Sequence, residues 1–200
     1  VKQLIPKSRI PEGESGPWKV ERYTVTEEDV SLHNLRCFIN PMRMGGKQLK
    51  PGSYTRLMRG GSVVMSDTPS ELREHFHIVM RALGHVLVTG LGLGLVANAL
   101  QRKPEVESVT VIEISPDVIK LVGPSFKRKK KVTIIKADAF TWKPNGQRFD
   151  WGWHDIWTNL CVDSLPEMTK LKRHYCRSVT VGQQHCWDED RLKRLSRRGW

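Results

Sequence analysis

From Val86 to Glu113 the chain runs an apolar triplet, Val86-Leu87-Val88, then glycines at 90, 92 and 94, a helical stripe, and a second apolar run, Val109-Thr110-Val111-Ile112. No other stretch restricts the fold so tightly. Leu95, Val96, Ala99 and Leu100 fall on one side of a short helix that Pro104 ends, so the order is strand, tight turn, helix, strand. A βαβ unit of this kind leaves a crevice at the carboxyl ends of its strands, and ligands sit there. Gly90, Leu91, Gly92 and Gly94 supply a turn whose bare backbone a ligand can approach. Glu113 ends the second run as a carboxylate able to accept from both hydroxyls of a ribose. The unit reads as an adenosine half-site.

Two cofactor classes use such a unit. The string Gly92-Leu93-Gly94-Leu95-Val96-Ala97 satisfies the dinucleotide pattern, whose pyrophosphate rests on a helix amino terminus. Gly90, Gly92 and Gly94 equally satisfy the alternating pattern of enzymes that bind S-adenosylmethionine. The glycines leave both open, and the residues after Glu113 discriminate.

Around this unit the chain divides into two parts. Residues 1–67 read as an extended, poorly ordered arm followed by a small β element, with a hairpin turning at Gly60-Gly61; residues 68–200 read as the nucleotide-binding domain. Thr68-Pro69-Ser70-Glu71 has the form of a capping box, opening a helix with an apolar stripe of Leu72, Phe76, Val79, Met80 and Leu83. His75 and His77 lie on that helix about 200° apart, which disfavours a shared metal and leaves His75 a pocket candidate. Ser115-Pro116 starts a further helix, Val132–Ile135 a third strand, and Phe149–Asp155 a fourth. Alternation puts Trp151, Trp153 and Asp155 on one face of that strand, with Asp155 at its carboxyl end. Leu165–Arg177 and Asp188–Arg198 read as helices, and Ser178–Val181 as a short strand. Cys37, Cys161, Cys176 and Cys186 show no metal-binding spacing, and reduced thiols with no metal are expected.

Charge bounds the partners. The net charge of +12 favours anionic ligands and disfavours polycations. Lys127–Lys131 and the set Arg191, Lys193, Arg194, Arg197 and Arg198 hold five basic residues each, ten of the thirty-three, and predict weak, salt-dependent contact with nucleic acid if they share one side. No apolar run approaches the ~20 residues of a membrane span, and no signal-peptide pattern opens the chain, so a cytoplasmic protein without membrane contact is expected.

From about Tyr54 to Asp155 the sequence resembles the class I S-adenosylmethionine-dependent methyltransferases, and within them the spermidine synthase lineage. The residues that carry the resemblance are His75 before the turn, the glycines at 90, 92 and 94, VIEISPDVI from Val111 to Ile119, Ala137-Asp138-Ala139, and Phe149-Asp150 through Asp155. Val88 stands where most methyltransferases carry an acid and where that lineage carries an aliphatic residue. The resemblance implies an α/β Rossmann-like methyltransferase core with sheet order 3-2-1-4, truncated on the carboxyl side, where the family has seven strands. It implies that Glu113 holds the ribose with Ile114 beside it, that Asp138 bonds the adenine amino group, and that Ala139 lies on the ring. Asp155 matches the carboxylate beside the reacting centre, with His154 the second catalytic candidate.

The departures matter as well. Thr158 replaces the second Asp of aminopropyltransferases, and Glu74-His75-Phe76 replaces their Tyr-His-Glu, which disfavours aminopropyl transfer. Asp155-Ile156-Trp157 only faintly echoes the tetrad of amino-group nucleic-acid methyltransferases. The expected function is S-adenosylmethionine binding with methyl transfer to an unknown acceptor; a noncatalytic nucleotide-binding or nucleic-acid-associated module and a dehydrogenase are the alternatives. The fourth strand, left as an edge, predicts a cover from the helix at Leu165 or from a second subunit in a homo-oligomer.

Overall fold

The structure, a computed structural model, describes residues 4–39, 49–128 and 130–197. Strands β1 (Gly13–Ser15), β2 (Trp18–Val25), β3 (Gly52–Arg59) and β4 (Ser62–Ser66) pair antiparallel in chain order. Val20 and Leu57 lie opposite each other on β2 and β3, and both are buried. The hairpin turns at Gly60-Gly61 as expected.

Two expectations for this region need correction. The described part of the leading arm is docked rather than loose: Ile5 and Ile10 are buried, and the Ser8 amide donates to Asp67 at 2.8 Å. Between β2 and β3 stands a helix, α1 (Glu27–Ile39), that the strand-and-turn reading missed. Its signal was present at Thr26 and Asp29. The Asp29 amide donates to Thr26 Oγ1 at 3.1 Å while the Asp29 carboxylate accepts from the Thr26 amide at 2.8 Å, a reciprocal cap.

The single helix expected from Thr68 is two short ones, α2 (Pro69–Glu74) and α3 (Phe76–Arg81), joined at His75. Thr68 makes no side-chain cap, and Glu71 instead accepts from the Ser66 amide and, at 2.8 Å, from its hydroxyl. The break changes the buried face. Leu72, Ile78, Val79 and Ala82 are buried, whereas Phe76, Met80 and Leu83 of the expected stripe are about half exposed.

The second sheet is parallel throughout. It comprises β5 (Gly84–Thr89), β6 (Val106–Glu113), β7 (Val132–Lys136), β8 (Trp151–His154) and β9 (Gln184–Cys186), in the order β7-β6-β5-β8-β9. Helices α4 (Leu95–Leu100) and α5 (Pro116–Val122) form the crossovers after β5 and β6, and α6 (Leu165–His174) and α7 (Glu189–Ser196) flank β9. This is a Rossmann-like α/β core. Residues Val86 to Thr89 of β5 are all buried, because a central parallel strand is covered on both faces. Alternation sorts the strand residues: Val86, Val88, Val109, Val111, Trp151 and Trp153 join one core, and Leu87 and Ile112 the other, where Phe149, Leu171 and Tyr175 from outside the strands pack with them.

The expected order 3-2-1-4 is present, and a fifth strand extends it. That strand is β9, not Ser178–Val181, where only Val179 bridges to Phe149 and Val181 is 91% exposed. Since β9 pairs with β8 from Gly152 to His154, the edge that argued for a second subunit is covered from within the chain.

Candidate functional site

A cavity of about 610 Å³ opens at the carboxyl ends of β5, β6 and β8, below a wall formed by the amino-terminal sheet. Its first rim is the glycine turn. The Gly90 amide donates to the Ile112 carbonyl at 2.8 Å, and Gly90 has φ +93°. A Cβ there would stand 1.9 Å from the Asp155 carbonyl oxygen, so only glycine allows the turn to lie against the end of β8. Gly92 also faces the cavity, where Met65 of β4 rests on it and accepts from the Leu93 amide at 3.1 Å.

Gly94 does not line this cavity. It caps α4 with φ +68°, and a Cβ there would meet the Phe126 ring at 2.7 Å. Its need for glycine comes from helix packing, a correction to the reading of all three glycines as ligand contacts.

Glu113 and Asp138 sit at the ends of β6 and β7. Glu113 accepts the Leu91 amide on one carboxylate oxygen and the Ser115 amide on the other, each at 2.8 Å. Each oxygen keeps one lone pair for a hydroxyl donor. Asp138 Oδ1 accepts the Phe140 amide at 2.9 Å, leaving Oδ2 for an amino group. Ala139 is buried, and the hydroxyl of fully buried Tyr175 donates to its carbonyl at 2.6 Å, fixing the turn that presents Asp138. Tyr175 lies 36 residues on, and no local pattern marks it. Leu91 and Ile114 complete this end, Ile114 being 64% exposed. These groups fit an adenosine: acceptors for two ribose hydroxyls, an acceptor for the amino group, and a small apolar residue beside them.

Asp155 stands at the other end. Its amide donates to the Thr89 carbonyl at 2.9 Å, which holds it just beyond β8, and it lines the cavity with Glu71, Glu74 and His75 from α2 and its junction with α3. Burial, then the negative charges of Glu74 and Glu71, push its carboxyl up to about 7. A carboxyl so poised exchanges a proton near neutrality. Buried His75 meets Trp153 edge to face, centroids 5.9 Å apart. Trp187 Nε1 donates to Glu74 at 2.8 Å across 113 residues, drawing the segment after β9 into the wall. In sequence Glu71 reads only as part of a cap and Glu74 only as a departure from the aminopropyltransferase motif, and no local pattern marks Trp187.

His154 does not join them. It is fully buried on the opposite face, stacked on Tyr175 with centroids 5.6 Å apart. Gln184 donates its amide to the Lys172 carbonyl at 3.1 Å, so its oxygen accepts from His154 Nε2–H at 3.1 Å. His154 Nδ1 then accepts from the Thr89 hydroxyl at 3.0 Å. Both ring nitrogens are committed, and burial pushes the imidazole down to about 4. His154 ties β5, β8 and β9 together and does not reach the cavity.

The basic runs are partly spent on the chain itself. Lys131 donates to the carbonyls of Lys103 and Val106; Lys193 pairs with Glu189 at 2.8 Å, and Arg191 with Asp188. The acids at 188 and 189 thus neutralise part of the second run. Lys129 and Arg198 lie outside the described residues. Among the described residues, no three His, Cys, Asp or Glu side chains are grouped to hold a metal, and no helix is long and apolar enough to cross a membrane.

No protein-family model matches the chain, and no curated protein matches its sequence. In shape it is similar to solved methyltransferases. With the CcbJ methyltransferase from Streptomyces caelestis it shares 20% identity over 55% of this chain and 45% of that one, at a TM-score of 0.44. With the N-methyltransferase NodS from Bradyrhizobium japonicum it shares 17% over 56% and 64%, at 0.43. With an S-adenosylmethionine-dependent methyltransferase from Clostridium acetobutylicum it shares 12% over 55% and 44%, at 0.39. The chain spans under half the length of the first of these.

Proposed function

We propose that the chain binds S-adenosylmethionine and transfers its methyl group to a small acceptor. One observation carries the reading: a single cavity of about 610 Å³ joins the adenosine groups Glu113 and Asp138 to Asp155, the carboxyl with the shifted proton affinity. That volume suits a cofactor with a small second molecule. Glu113 would take the ribose hydroxyls, Asp138 the adenine amino group, and the backbone at Gly90, Leu91 and Gly92 the approach of the chain beyond the ribose. Bound there, S-adenosylmethionine supplies an electrophilic methyl on sulfur. Asp155 would orient the acceptor and take its proton, while the amino-terminal sheet and Trp187 exclude water and hold the partners in line. The finer likeness to the spermidine synthase lineage rests on His75, Val88 and VIEISPDVI alone.

Calorimetry tests the reading with S-adenosylmethionine, S-adenosylhomocysteine and NAD. Binding of the first two without NAD is expected; NAD binding alone would return the chain to the dehydrogenases. Binding without methyl incorporation into any component of a cell extract would leave a noncatalytic nucleotide-binding module.

A further inference from the structure

A second cavity, of about 270 Å³, lies behind the glycine turn: Leu93 and Gly94 line it, whereas Leu91 and Gly92 line the larger one. Its polar side chains come from three segments. Ser8 and Arg9 belong to the leading arm, Asn98 and Arg102 to α4 and the turn after it, and Ser125 to the helical turn Gly123–Phe126. No Asp or Glu lines this groove. Its walls are held in place by packing. On one side of Arg9 the Ser8 amide is bound to Asp67, and on the other Ile10 is buried; Phe126 is buried next to Ser125.

What these groups can do is one-sided. Arg9 and Arg102 make no ion pair among the described residues, although cations elsewhere do: Arg56 with Glu21, Arg191 with Asp188, Lys193 with Glu189. Lys103 and Lys131 are spent on main-chain carbonyls. Asn98 Oδ1 accepts from Gln101 at 3.3 Å, so its amide nitrogen is left to donate. A cleft that offers two guanidinium groups, an amide donor and hydroxyls, with no carboxylate among them, suits an oxyanion, and guanidinium forks suit phosphate above others.

The charge also continues past the groove. Lys127 and Arg128 follow Phe126, are exposed, and make no ion pair among the described residues. A lone phosphate would need only the two arginines, whereas a row of cations fits a row of phosphates. Phe126, the aromatic residue that lines the groove, is buried, so bases gain no platform on which to stack. We infer that this groove and the run after it bind the sugar–phosphate backbone of a single-stranded nucleic acid. One phosphate lies between Arg9 and Arg102 and its neighbours on Lys127 and Arg128, whatever the base sequence. A flexible strand can bend a phosphate into a recess of this size; a duplex carries its phosphates on a stiff rod. The inference is independent of the cofactor reading, since none of these polar groups lines the larger cavity.

Fluorescence anisotropy of a labelled oligouridylate of about twelve nucleotides, titrated with the full chain across a series of potassium chloride concentrations, tests this. Four phosphate contacts on a single strand predict a slope of log affinity against log salt of about −3. Arg9→Gln and Arg102→Gln should each weaken binding about fivefold at low salt and flatten the slope by about 0.7. Arg194→Gln removes the same charge from an exposed position on α7, in the second basic run, and should change neither. Inorganic phosphate should displace the strand better than chloride at equal ionic strength, and hydrogen exchange in the complex should slow at Arg9, Ile10 and Lys127. The inference is overturned if Arg194→Gln costs as much as Arg9→Gln, since net charge alone is then at work. It is equally overturned if neither groove variant weakens the strand, or if a duplex of the same length binds more tightly. Uptake of the protein by phosphatidylserine vesicles while the oligonucleotide stays free would replace it with a membrane contact.

Discussion

Asp155 and His154 are neighbours in sequence and opposites in role, because the strand end sends them to different faces. Asp155 faces the cavity among acids, and its proton affinity is raised to about 7; His154 is sealed between Thr89 and Gln184, and its own is lowered to about 4. Their linkages to stability run in opposite directions. Asp155 holds its proton more tightly folded than unfolded, so its stabilising contribution is full below its ordinary value of 3.8 and lost as pH rises through about 7. Asp155→Asn should therefore raise the unfolding midpoint at pH 8, by about 3 °C or more, and change it little at pH 4. The same substitution should abolish turnover and spare cofactor affinity, as the proposed role of the ionised carboxylate as proton acceptor requires. In the parent protein activity should fall as pH drops through about 7. His154 binds its proton less readily folded, so its contribution is intact above 6.5 and lost as pH falls toward about 4. Thermal unfolding of His154→Gln against the parent should show a shallower decline across that acid window.

At the scale of elements, the unit from β5 to β6 was legible because every instruction for it is local: an apolar run, a turn that needs glycine, a short stripe, a proline. Gly90 shows how strict that turn is. Gly90→Ala must displace the Asp155 carbonyl, which a Cβ would approach to 1.9 Å, whereas Ala at Gly146, with φ +87° and nothing within 4 Å, meets only backbone strain. Denaturant unfolding should give a cost of about 3 kcal/mol or more for Gly90→Ala and about 1–2 kcal/mol for Gly146→Ala. The break between α2 and α3 was not legible, since it follows from burial of His75 against Trp153, residues far apart in sequence. Nor was β9. Gln184-His185-Cys186 has little strand propensity, and it pairs because Gln184 meets both the His154 ring and the Lys172 carbonyl. The β-branched pair at Val179 and Val181 attracted the prediction instead, a case of tertiary pairing overriding local preference.

For the whole molecule, the half of the site proposed to hold adenosine could be read from one segment, Gly90 to Asp138, and the other half could not. Glu71 and Glu74 come from α2, Trp187 from beyond β9, and Met65 from the amino-terminal sheet, so their convergence exists only in the folded chain. The same convergence bears on the division at residue 67. Met65 accepts from the Leu93 amide in the glycine turn, and Asp67 accepts from both the Ser8 and Thr55 amides. An appendage would be indifferent to ligand; a wall of the cavity would not. S-adenosylhomocysteine at a hundred times its dissociation constant should stabilise the fold by about 2.7 kcal/mol, raising the unfolding midpoint by about 5–10 °C. Hydrogen exchange measured alongside should slow at Leu91 and Leu93 and, through Met65, in β3 and β4 as well. Protection confined to residues after 67 would mean that the amino-terminal sheet merely rests against the site and could be removed without loss of cofactor binding.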